Sequence, residues 1–301
     1  MKMNAGVTQK RFFKWKYMQP YLFISPFFVM FAVFGLYPLI SGLVLSLQEN
    51  GVFAGLVNYR KLISDRLFRI SIGNAFLYTL GSVFIILPFA LGAALALNSK
   101  FMGRKSGAVS TIFFIPNVTS VILVGIVFKY ILRERGGVLN ALLGLVTLGP
   151  FNFLSNPRYS IGVMVFIGIW RYFGVNSLYF LSGLQGIPVE LGEAARIDGA
   201  NPWQEFWRIK FPLLKPISKF IIFQAITGSF SLFGDVIAMV DYSGGPRYSY
   251  LYPLIYLYNT MFRQSQFNYA AAIGYVIAII LLVLTTLQRK VIMKDEGDDI
   301  L

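Results

Sequence analysis

The feature that most constrains this chain is a series of apolar stretches, each long enough to cross a lipid bilayer as a helix. Six of them lie near residues 20–46, 73–98, 107–132, 159–183, 217–240 and 268–288. A bilayer core is about 30 Å thick and takes about 20 mostly apolar residues in a helix. Backbone groups at that depth must be hydrogen-bonded within the protein, which a helix achieves by itself. The sequence therefore predicts an all-α integral membrane protein with six transmembrane helices.

Composition excludes several other classes of protein. Of the 301 residues, 56% are hydrophobic and only 13% are charged. In a soluble protein a net charge of +14 would suggest nucleic-acid binding, but here the basic residues flank the apolar stretches, so we expect no nucleic-acid partner. The chain contains no His and no Cys, which are frequent catalytic and metal-binding residues. We therefore expect no catalytic residue and no metal site, which argues against an intramembrane enzyme.

The distribution of Lys and Arg predicts the orientation in the membrane. These residues are more frequent in one set of flanking segments, namely 1–17, 99–106, 184–219 and 289–301, than in the three loops on the other side. Cytoplasmic loops carry the excess of positive charge, so both termini are predicted to be cytoplasmic. The first apolar stretch is too long for a signal peptide and no small-residue cleavage site follows it, so we expect a retained helix.

The connection over residues 184–216 does not resemble an ordinary loop. It is far longer than the usual connection of about 4–6 residues, which predicts secondary structure of its own. From 189 to 197 apolar and charged positions alternate, a pattern that is compatible with a helix lying along a surface. Gly199 is expected to end that helix, because glycine adopts positive φ at little cost. Asn201 is expected to cap a second helix with Pro202 in its first turn.

The same segment carries a motif with a defined spacing. Glu193-Ala194-Ala195 is followed by three residues, then Gly199, nine residues, Ile209, one residue, and Phe211-Pro212. This spacing resembles the EAA motif of importer-type ABC transporter permeases, with Phe211 where Leu is usual. Shorter matches to the sugar-importing branch of that family occur elsewhere, at Leu36-Tyr37-Pro38, Asn58-Tyr59 and Gly244-Gly245-Pro246.

The resemblance implies one permease subunit within a larger transporter. It implies a second related permease in a heterodimer, two ATP-binding subunits, an extracytoplasmic solute-binding protein, and a site in the cytoplasmic membrane of a bacterium or archaeon. No segment matches GxxxxGK[ST], so ATP and Mg are expected on the partner subunits, with no cofactor in this chain. The implied organisation is a basic N-terminus at 1–17, a first helix and external segment at 18–70, a permease core at 71–290 that includes the 184–216 loop, and a cytoplasmic tail at 291–301.

Two sets of functional residues follow from the resemblance and from polarity. Those that the resemblance implies for coupling to the ATPase are Glu190, Glu193, Ala194, Ala195, Asp198, Gly199, Ile209 and Pro212. A helix resting on lipid headgroups would instead carry Lys and Arg on its polar face, whereas this one is mainly acidic. We expect the segment from Glu193 to Gly199 to meet the ATPase and the segment from Trp203 to Trp207 to pack on the helix bundle.

The second set contains polar residues at membrane depth, where burial is costly unless they are paired or face water. As candidates for the substrate path we name Asn74, Asn117, Arg171, Asn176, Gln224, Ser229 and Asp235. For Arg171 and Asp235, a mutual salt bridge and a sugar contact both stay open. The resemblance implies a carbohydrate cargo, while a glycerol-phosphate-like or uronic acid solute remains an alternative. A secondary transporter driven by an ion gradient is the main rival to an ATP-driven importer.

Overall fold

The computed structural model describes residues 15–99, 102 and 106–293 of the chain. The predicted basic N-terminus and cytoplasmic tail lie mostly outside the described residues. The described part is predominantly helical, with one small antiparallel pair of strands, β1 (Gln48–Glu49) and β2 (Val52–Phe53). The predicted all-α class is therefore confirmed.

The α-helices are of very different lengths, because several long ones are interrupted by turns of wider helix. In chain order they are α1 (Trp15–Phe31), α2 (Tyr37–Ser46), α3 (Val57–Ser64), α4 (Arg66–Gly81), α5 (Leu87–Leu97), α6 (Ser106–Val118), α7 (Val121–Ile131), α8 (Val138–Gly144), α9 (Ser160–Gln185), α10 (Val189–Ile197), α11 (Pro202–Glu205), α12 (Phe211–Leu213), α13 (Lys215–Phe230), α14 (Gly234–Val240), α15 (Pro253–Tyr258) and α16 (Phe267–Met293).

Four continuous helical segments are long and apolar enough to cross a membrane. They are Gln19–Ser46, Arg66–Leu97, Pro157–Gln185 and Phe267–Lys290. The other two predicted stretches are each divided: α6 and α7 meet at a 92° bend, and α13 and α14 at a 43° bend. The described chain therefore has four to six candidate crossings, and the predicted number of six holds if each bent pair forms one span.

Helical structure continues through Pro38, Pro88 and Pro212 because a wider helical turn precedes each of them. Three π-helical turns come directly before a residue that precedes proline, and they are Ala32–Leu36, Ser82–Ile86 and Phe206–Lys210. In each, the amide of the residue before proline (Tyr37, Leu87 or Phe211) donates to a carbonyl five residues earlier. Proline has no N–H and its ring collides with the carbonyl four residues back. The wider turn accommodates that ring, so the helix continues instead of ending.

The helices pack into two hydrophobic clusters that share α9. One cluster gathers residues of α4, α7, α14, α15 and α16 around the first half of α9. The other gathers α5 and the start of α13 around its second half. Helix α9 therefore runs through the middle of the bundle and holds both clusters in place.

Glycines allow two helix crossings to be very close. A side chain added at Gly174 on α9 would collide with the backbone of Phe113 on α6. One added at Gly125 on α7 would lie 2.7 Å from the Cβ of Ala238 on α14 and would also collide with the carbonyl of Asp235. Small residues bring apolar helices into backbone contact, where dispersion and weak polar contacts replace the hydrophobic effect. These crossings fix the broken helices against the rest of the bundle.

Asp65 joins three elements at one end of the bundle. Its Oδ1 caps α4 by accepting from the backbone amides of Leu67 (2.8 Å) and Phe68 (3.2 Å), and its Oδ2 accepts from the hydroxyls of Tyr256 and Tyr269. Burial raises the pKa of Asp65, but the hydrogen bonds from the two tyrosines and the two amides outweigh it, so the pKa lies below its ordinary value. The ionised carboxylate therefore holds α4, α15 and α16 together.

The first long helix lies at the edge of the bundle. Helix α2 is held against α16, where the Tyr275 hydroxyl donates to the Leu39 carbonyl and the Asn268 amide donates to the Leu45 carbonyl at 3.1 Å. The side chains of the whole segment Gln19–Ser46 are mostly exposed, and Phe23 in α1 is 84% exposed. This apolar surface requires lipid or another apolar surface around it.

Candidate functional site

A cavity of about 320 Å³ lies among α4, α6, α9 and α13. Its polar and aromatic lining is Tyr78, Ser82, Asn117, Tyr172, Asn176, Tyr179, Gln224, Thr227, Ser229 and Ser231. The apolar part of the lining comes from both hydrophobic clusters, with Ile86 and Leu232 from one and Leu87 and Ile221 from the other. The cavity therefore lies where the two packed regions of the bundle meet.

The cavity also coincides with the places where two helices are broken. Asn117 lies at the end of α6, just before the 92° bend, and Ser231 and Leu232 connect α13 to α14 at the 43° bend. A break leaves backbone amides and carbonyls without their helical partners. At membrane depth such groups are tolerated where they are covered by protein or line a water-filled space. The cavity thus offers a place for the backbone groups that the two helix breaks leave without helical partners.

The lining suits a neutral solute with many hydroxyl groups. Amide, hydroxyl and phenol groups can both donate and accept hydrogen bonds, and tyrosine rings offer flat apolar faces to a sugar-like ring. None of the lining residues that the structure describes is Asp, Glu, Lys or Arg. A charged solute would therefore enter without an ionic partner in this lining, and burying an unpaired charge is costly.

The structure brings together four of the seven residues predicted for the substrate path, namely Asn117, Asn176, Gln224 and Ser229. Asn74 lies outside the lining, and its side-chain amide donates to the carbonyls of Tyr248 (2.9 Å) and Leu251 (3.0 Å). Asn74 therefore connects α4 to the loop before α15. Both donors of its amide are used within the fold, and its place in the substrate path stays a prediction.

Arg171 and Asp235 also lie outside the lining, although both are buried. They form no ion pair with each other, so the predicted alternative of a mutual salt bridge is not realised in this structure. Oδ1 of Asp235 accepts from the Val236 amide at 3.0 Å. Nε and Nη1 of Arg171 have no hydrogen-bond partner, and its guanidinium lies 5.6 Å from the Tyr172 ring centroid.

Several lining residues were missed by reasoning from polarity alone, and they are Tyr78, Ser82, Tyr172, Tyr179, Thr227 and Ser231. Aromatic residues are common throughout membrane proteins, so a tyrosine is a weak indicator by itself. Spacing was the usable signal. Tyr172, Asn176 and Tyr179 are four and three residues apart, which puts them on one face of α9.

The 184–216 loop follows the local pattern expected from its glycine. Helix α10 ends at Ile197, and Gly199 adopts φ +82°. The Gly199 amide donates to the Arg196 carbonyl at 3.1 Å, and the Ala200 amide donates to the Ala195 carbonyl at 2.9 Å. This pair of bonds is a Schellman motif, which satisfies the last carbonyls of a helix and turns the chain sharply.

Asn201 begins the next helical segment. Its Oδ1 accepts from the Gln204 amide, and the Gln204 side chain accepts from the Asn201 amide, both at 2.9 Å. This reciprocal capping box satisfies two amides that have no helical partner, and Pro202 occupies the first turn where its missing N–H is harmless. Helices α10 and α11 are therefore separated by a short, well-defined turn.

Most of the residues predicted for coupling are exposed in the structure. The exposed ones are Glu190, Glu193, Ala194, Asp198, Gly199 and Pro212, while Ala195 and Ile209 are partly buried. Beside the acidic residues, Val189 is 71% exposed and Ile197 is 86% exposed. Helix α10 therefore presents a surface that is both acidic and apolar.

The aromatic residues of the second helix are not where we expected them. Trp203 and Trp207 contact each other with ring centroids 5.5 Å apart, and Trp207 contacts Phe211 at 4.8 Å. Trp203 is 68% exposed and Trp207 is 44% exposed, so the two tryptophans are not the side chains by which this segment packs inward. The buried side of the segment carries Glu205 instead.

Glu205 was not among the predicted residues. Its carboxylate accepts from Nε and Nη2 of Arg196, at 3.0 and 3.3 Å, and from Nζ of Lys210 at 2.8 Å. The hydrogen bond from Arg196 and then the one from Lys210 lower the pKa of Glu205, so the side chain is ionised at neutral pH. Nothing in the linear sequence distinguishes this glutamate from an exposed one, because its burial depends on how α10 and α11 pack.

Comparison with known proteins gives matches over most of the chain. Residues 86–291 match the family described as "Binding-protein-dependent transport system inner membrane component". The chain is 35% identical over 284 residues to the arabinooligosaccharides transport system permease protein AraP of Bacillus subtilis (strain 168), covering 93% of this chain and 90% of that protein. It is 34% identical over 274 residues to the lactose transport system permease protein LacF of Rhizobium radiobacter, covering 89% and 92%.

Two solved structures have a similar fold. One is a bacterial ABC transporter involved in the import of the acidic polysaccharide alginate, with a TM-score of 0.82 and 22% identity over 93% of this chain and 98% of that one. The other is a bacterial alginate ABC transporter in complex with alginate pentasaccharide-bound periplasmic protein, with a TM-score of 0.80 and 23% identity over 91% and 95%. At this identity the likeness concerns the fold.

Proposed function

The chain belongs to the family of binding-protein-dependent transport system inner membrane components, and from this we propose that it is the permease subunit of an ATP-driven importer of neutral oligosaccharides. Relatives named for arabinooligosaccharide and lactose transport support a carbohydrate cargo. The observation that favours a neutral cargo is the cavity lining, which is rich in amides, hydroxyls and tyrosines and lacks charged side chains among its described members.

A neutral cargo is favoured over the two acidic alternatives. A uronic acid or a glycerol-phosphate-like solute would bring at least one full negative charge into the cavity. Sites for such groups normally supply Arg, Lys or a helix N-terminus as a partner. Arg171 is a buried cation among the residues that the structure describes, but it is not part of the cavity lining.

We further propose six crossings, with each bent pair acting as one span and with both termini in the cytoplasm. The excess of Lys and Arg in the segments 1–17, 99–106, 184–219 and 289–301 supports this orientation. It puts the 184–216 loop on the cytoplasmic side, where ATP-binding subunits would meet it. In this arrangement residues 71–290 form the permease core, and the helix within 18–70 is a peripheral addition.

Energy would come from partner chains. Two ATP-binding subunits, which hold ATP and Mg, would dock against α10 through Glu193, Ala194 and the neighbouring exposed residues. A second related permease would complete the translocation path, and an extracytoplasmic solute-binding protein would deliver the sugar. ATP binding and hydrolysis would then shift the populations of inward-facing and outward-facing states, because the ATPase contacts α10 differently in each.

The test is transport by the complete complex, purified through a tag on this chain and reconstituted in proteoliposomes. We expect uptake of lactose or an arabinooligosaccharide to require hydrolysable ATP and to persist when ionophores remove the ion gradients. An alginate oligosaccharide should be taken up much less. The double variant Asn176→Ala, Gln224→Ala should lower uptake by about tenfold, because each lost hydrogen bond is worth about 0.5–1.5 kcal/mol.

The matched control is Gln264→Ala, which removes an exposed amide that is not part of the lining and should leave uptake unchanged. Uptake by this chain alone, driven by an ion gradient, would overturn the ATP-driven mechanism. Preferred uptake of the acidic oligosaccharide would overturn the neutral cargo while leaving the permease role intact.

A further inference from the structure

Glu205 is a buried carboxylate in a loop whose other acidic residues are exposed. Its side chain is 4% exposed, whereas Glu190, Glu193 and Asp198 face solvent. Burying a carboxylate costs free energy unless charged hydrogen-bond donors compensate for the lost water. A buried carboxylate in an otherwise solvent-facing segment therefore indicates a constraint on how that segment is held.

The partners of Glu205 come from both sides of the turn between the two helices. Arg196 on α10 donates to both carboxylate oxygens through Nε and Nη2, and Lys210, in the π-helical turn Phe206–Lys210, donates to Oε1. Charge-assisted bonds of this kind are roughly twice as strong as neutral ones, and a two-pronged arginine contact also fixes orientation. The carboxylate thus connects α10 to α11 and to the turn that follows.

The backbone of α10 is shaped to receive this carboxylate. A Cβ placed on Gly192 would lie 3.1 Å from Oε1 of Glu205, closer than an ordinary contact. Glycine at this position lets Glu205 approach the helix closely. Between α10 and α11 the backbone passes through the short turn at Gly199, which only its own capping hydrogen bonds hold.

A continuous packed connection leads from Glu205 to the cavity. After Lys210 the chain enters α12, and Leu214, which is 1% exposed, packs in the second hydrophobic cluster at the start of α13. Helix α13 then lines the cavity through Gln224 and Ser229. Movement of α10 reaches α13 efficiently if the contact at Glu205 holds, and is absorbed at the Gly199 turn if it does not.

We infer that Glu205 is a positioning residue that locks α10 to the α11–α13 segment, so that a displacement imposed on α10 reaches the cavity. This inference rests on the proposed function, since it assumes that a partner ATPase moves α10. It assigns Glu205 no contact with the ATPase or with the sugar. The side chain acts by keeping two helices in one rigid unit.

The experiment compares transport per ATP hydrolysed in proteoliposomes that contain the complete transporter. For Glu205→Gln we expect the ATPase subunits to copurify and the KM for ATP to be unchanged. Sugar transported per ATP should fall by about fivefold or more. Fivefold is the lower end of the range by which distant sites in a protein typically affect each other. Arg196→Gln breaks the same contact from an exposed residue and gives a second readout if Glu205→Gln folds poorly. Because the two residues act as one unit, the double variant should be no worse than the more affected single variant.

A distance measurement separates a loosened joint from other defects. The chain has no cysteine, so spin labels can be placed at the exposed positions Ile197 and Leu213 after substitution by Cys. The distance distribution between them should broaden in Glu205→Gln. The control is Glu49→Gln, which removes a carboxylate paired with Lys61 at the solvent-exposed surface and should change neither readout.

Unchanged transport per ATP together with an unchanged distance distribution in Glu205→Gln would overturn the inference. Loss of ATPase copurification in that variant would also overturn it, because the residue would then act in assembly. Failure of the wild-type chain to copurify an ATPase would instead refute the proposed function, and the two failures are therefore distinguishable.

Discussion

The crossing of α6 and α9 offers a direct test of how the cavity is built. A methyl group at Gly174 would lie 3.0 Å from the Cα of Phe113 and closer still to its carbonyl group. Carbon atoms normally approach to about 3.5–4.0 Å, so Gly174→Ala must separate the two backbones by at least about 0.5 Å. Overpacking of this kind costs about 1–3 kcal/mol, which corresponds to a melting temperature lower by about 2–8 °C.

The same displacement should impair transport, because both helices line the cavity. Asn117 lies one turn after Phe113 on α6, and Asn176 lies two residues after Gly174 on α9. The assay is thermal unfolding of the purified permease in detergent, followed by sugar uptake in proteoliposomes. Gly162→Ala is the matched control on the same helix, since an added Cβ there meets no atom within 4 Å. Alanine is a better helix former than glycine by about 1 kcal/mol, so the control should be as stable as wild type or more stable. Equal behaviour of the two variants would refute the close crossing.

Three further outcomes follow from other parts of the structure. Asp65→Asn removes an ionised helix cap that also accepts from two tyrosines, and should destabilise the permease by about 1–2 kcal/mol in thermal unfolding. Because the pKa of Asp65 is lowered on folding, this stabilisation is present above its unfolded-state pKa of 3.8 and is lost as the pH falls through the lower folded-state value. If the difference in stability between wild type and Asp65→Asn persisted at the most acidic pH, the result would contradict this reasoning. Gly228→Leu puts a large side chain into the cavity and should abolish uptake while ATPase subunits still copurify, whereas Gly92→Leu, which also enters open space but outside the lining, should retain uptake. Gly199→Ala forces a non-glycine residue to φ +82° and should cost about 1 kcal/mol, measured as a lower melting temperature, and an unchanged melting temperature would argue against the strain.

Features that depend on residues close together in the sequence could be predicted from the sequence. The apolar stretches are visible because a membrane-spanning helix must be apolar along its whole length. The end of α10 at Gly199 and the start of α11 at Asn201 were also predictable, because helix caps are made by side chains and amides a few residues apart. The spacing of the EAA-like motif likewise indicates the family from sequence alone.

The lining of the cavity could be predicted only in part. Polarity at membrane depth selected Asn117, Asn176 and Gln224, which line the cavity, but it also selected Asn74 and Arg171, which do not. A polar side chain in an apolar helix must find a partner, and that partner can be a solute, water or another part of the fold. The choice depends on how each helix is rotated about its axis, which is decided by the helices that pack against it.

By itself, the sequence determined that this chain is a multi-pass helical membrane protein, which family it belongs to, and where the helices of the 184–216 loop begin and end. Only the tertiary structure decided where two of the long helices break, which polar residues surround the cavity, and that Glu205 is buried between Arg196 and Lys210. The physical reason is the range of the interactions involved. Caps and apolar runs are encoded within a few residues, whereas breaks, helix rotation and the burial of a charge depend on contacts between segments far apart in the chain.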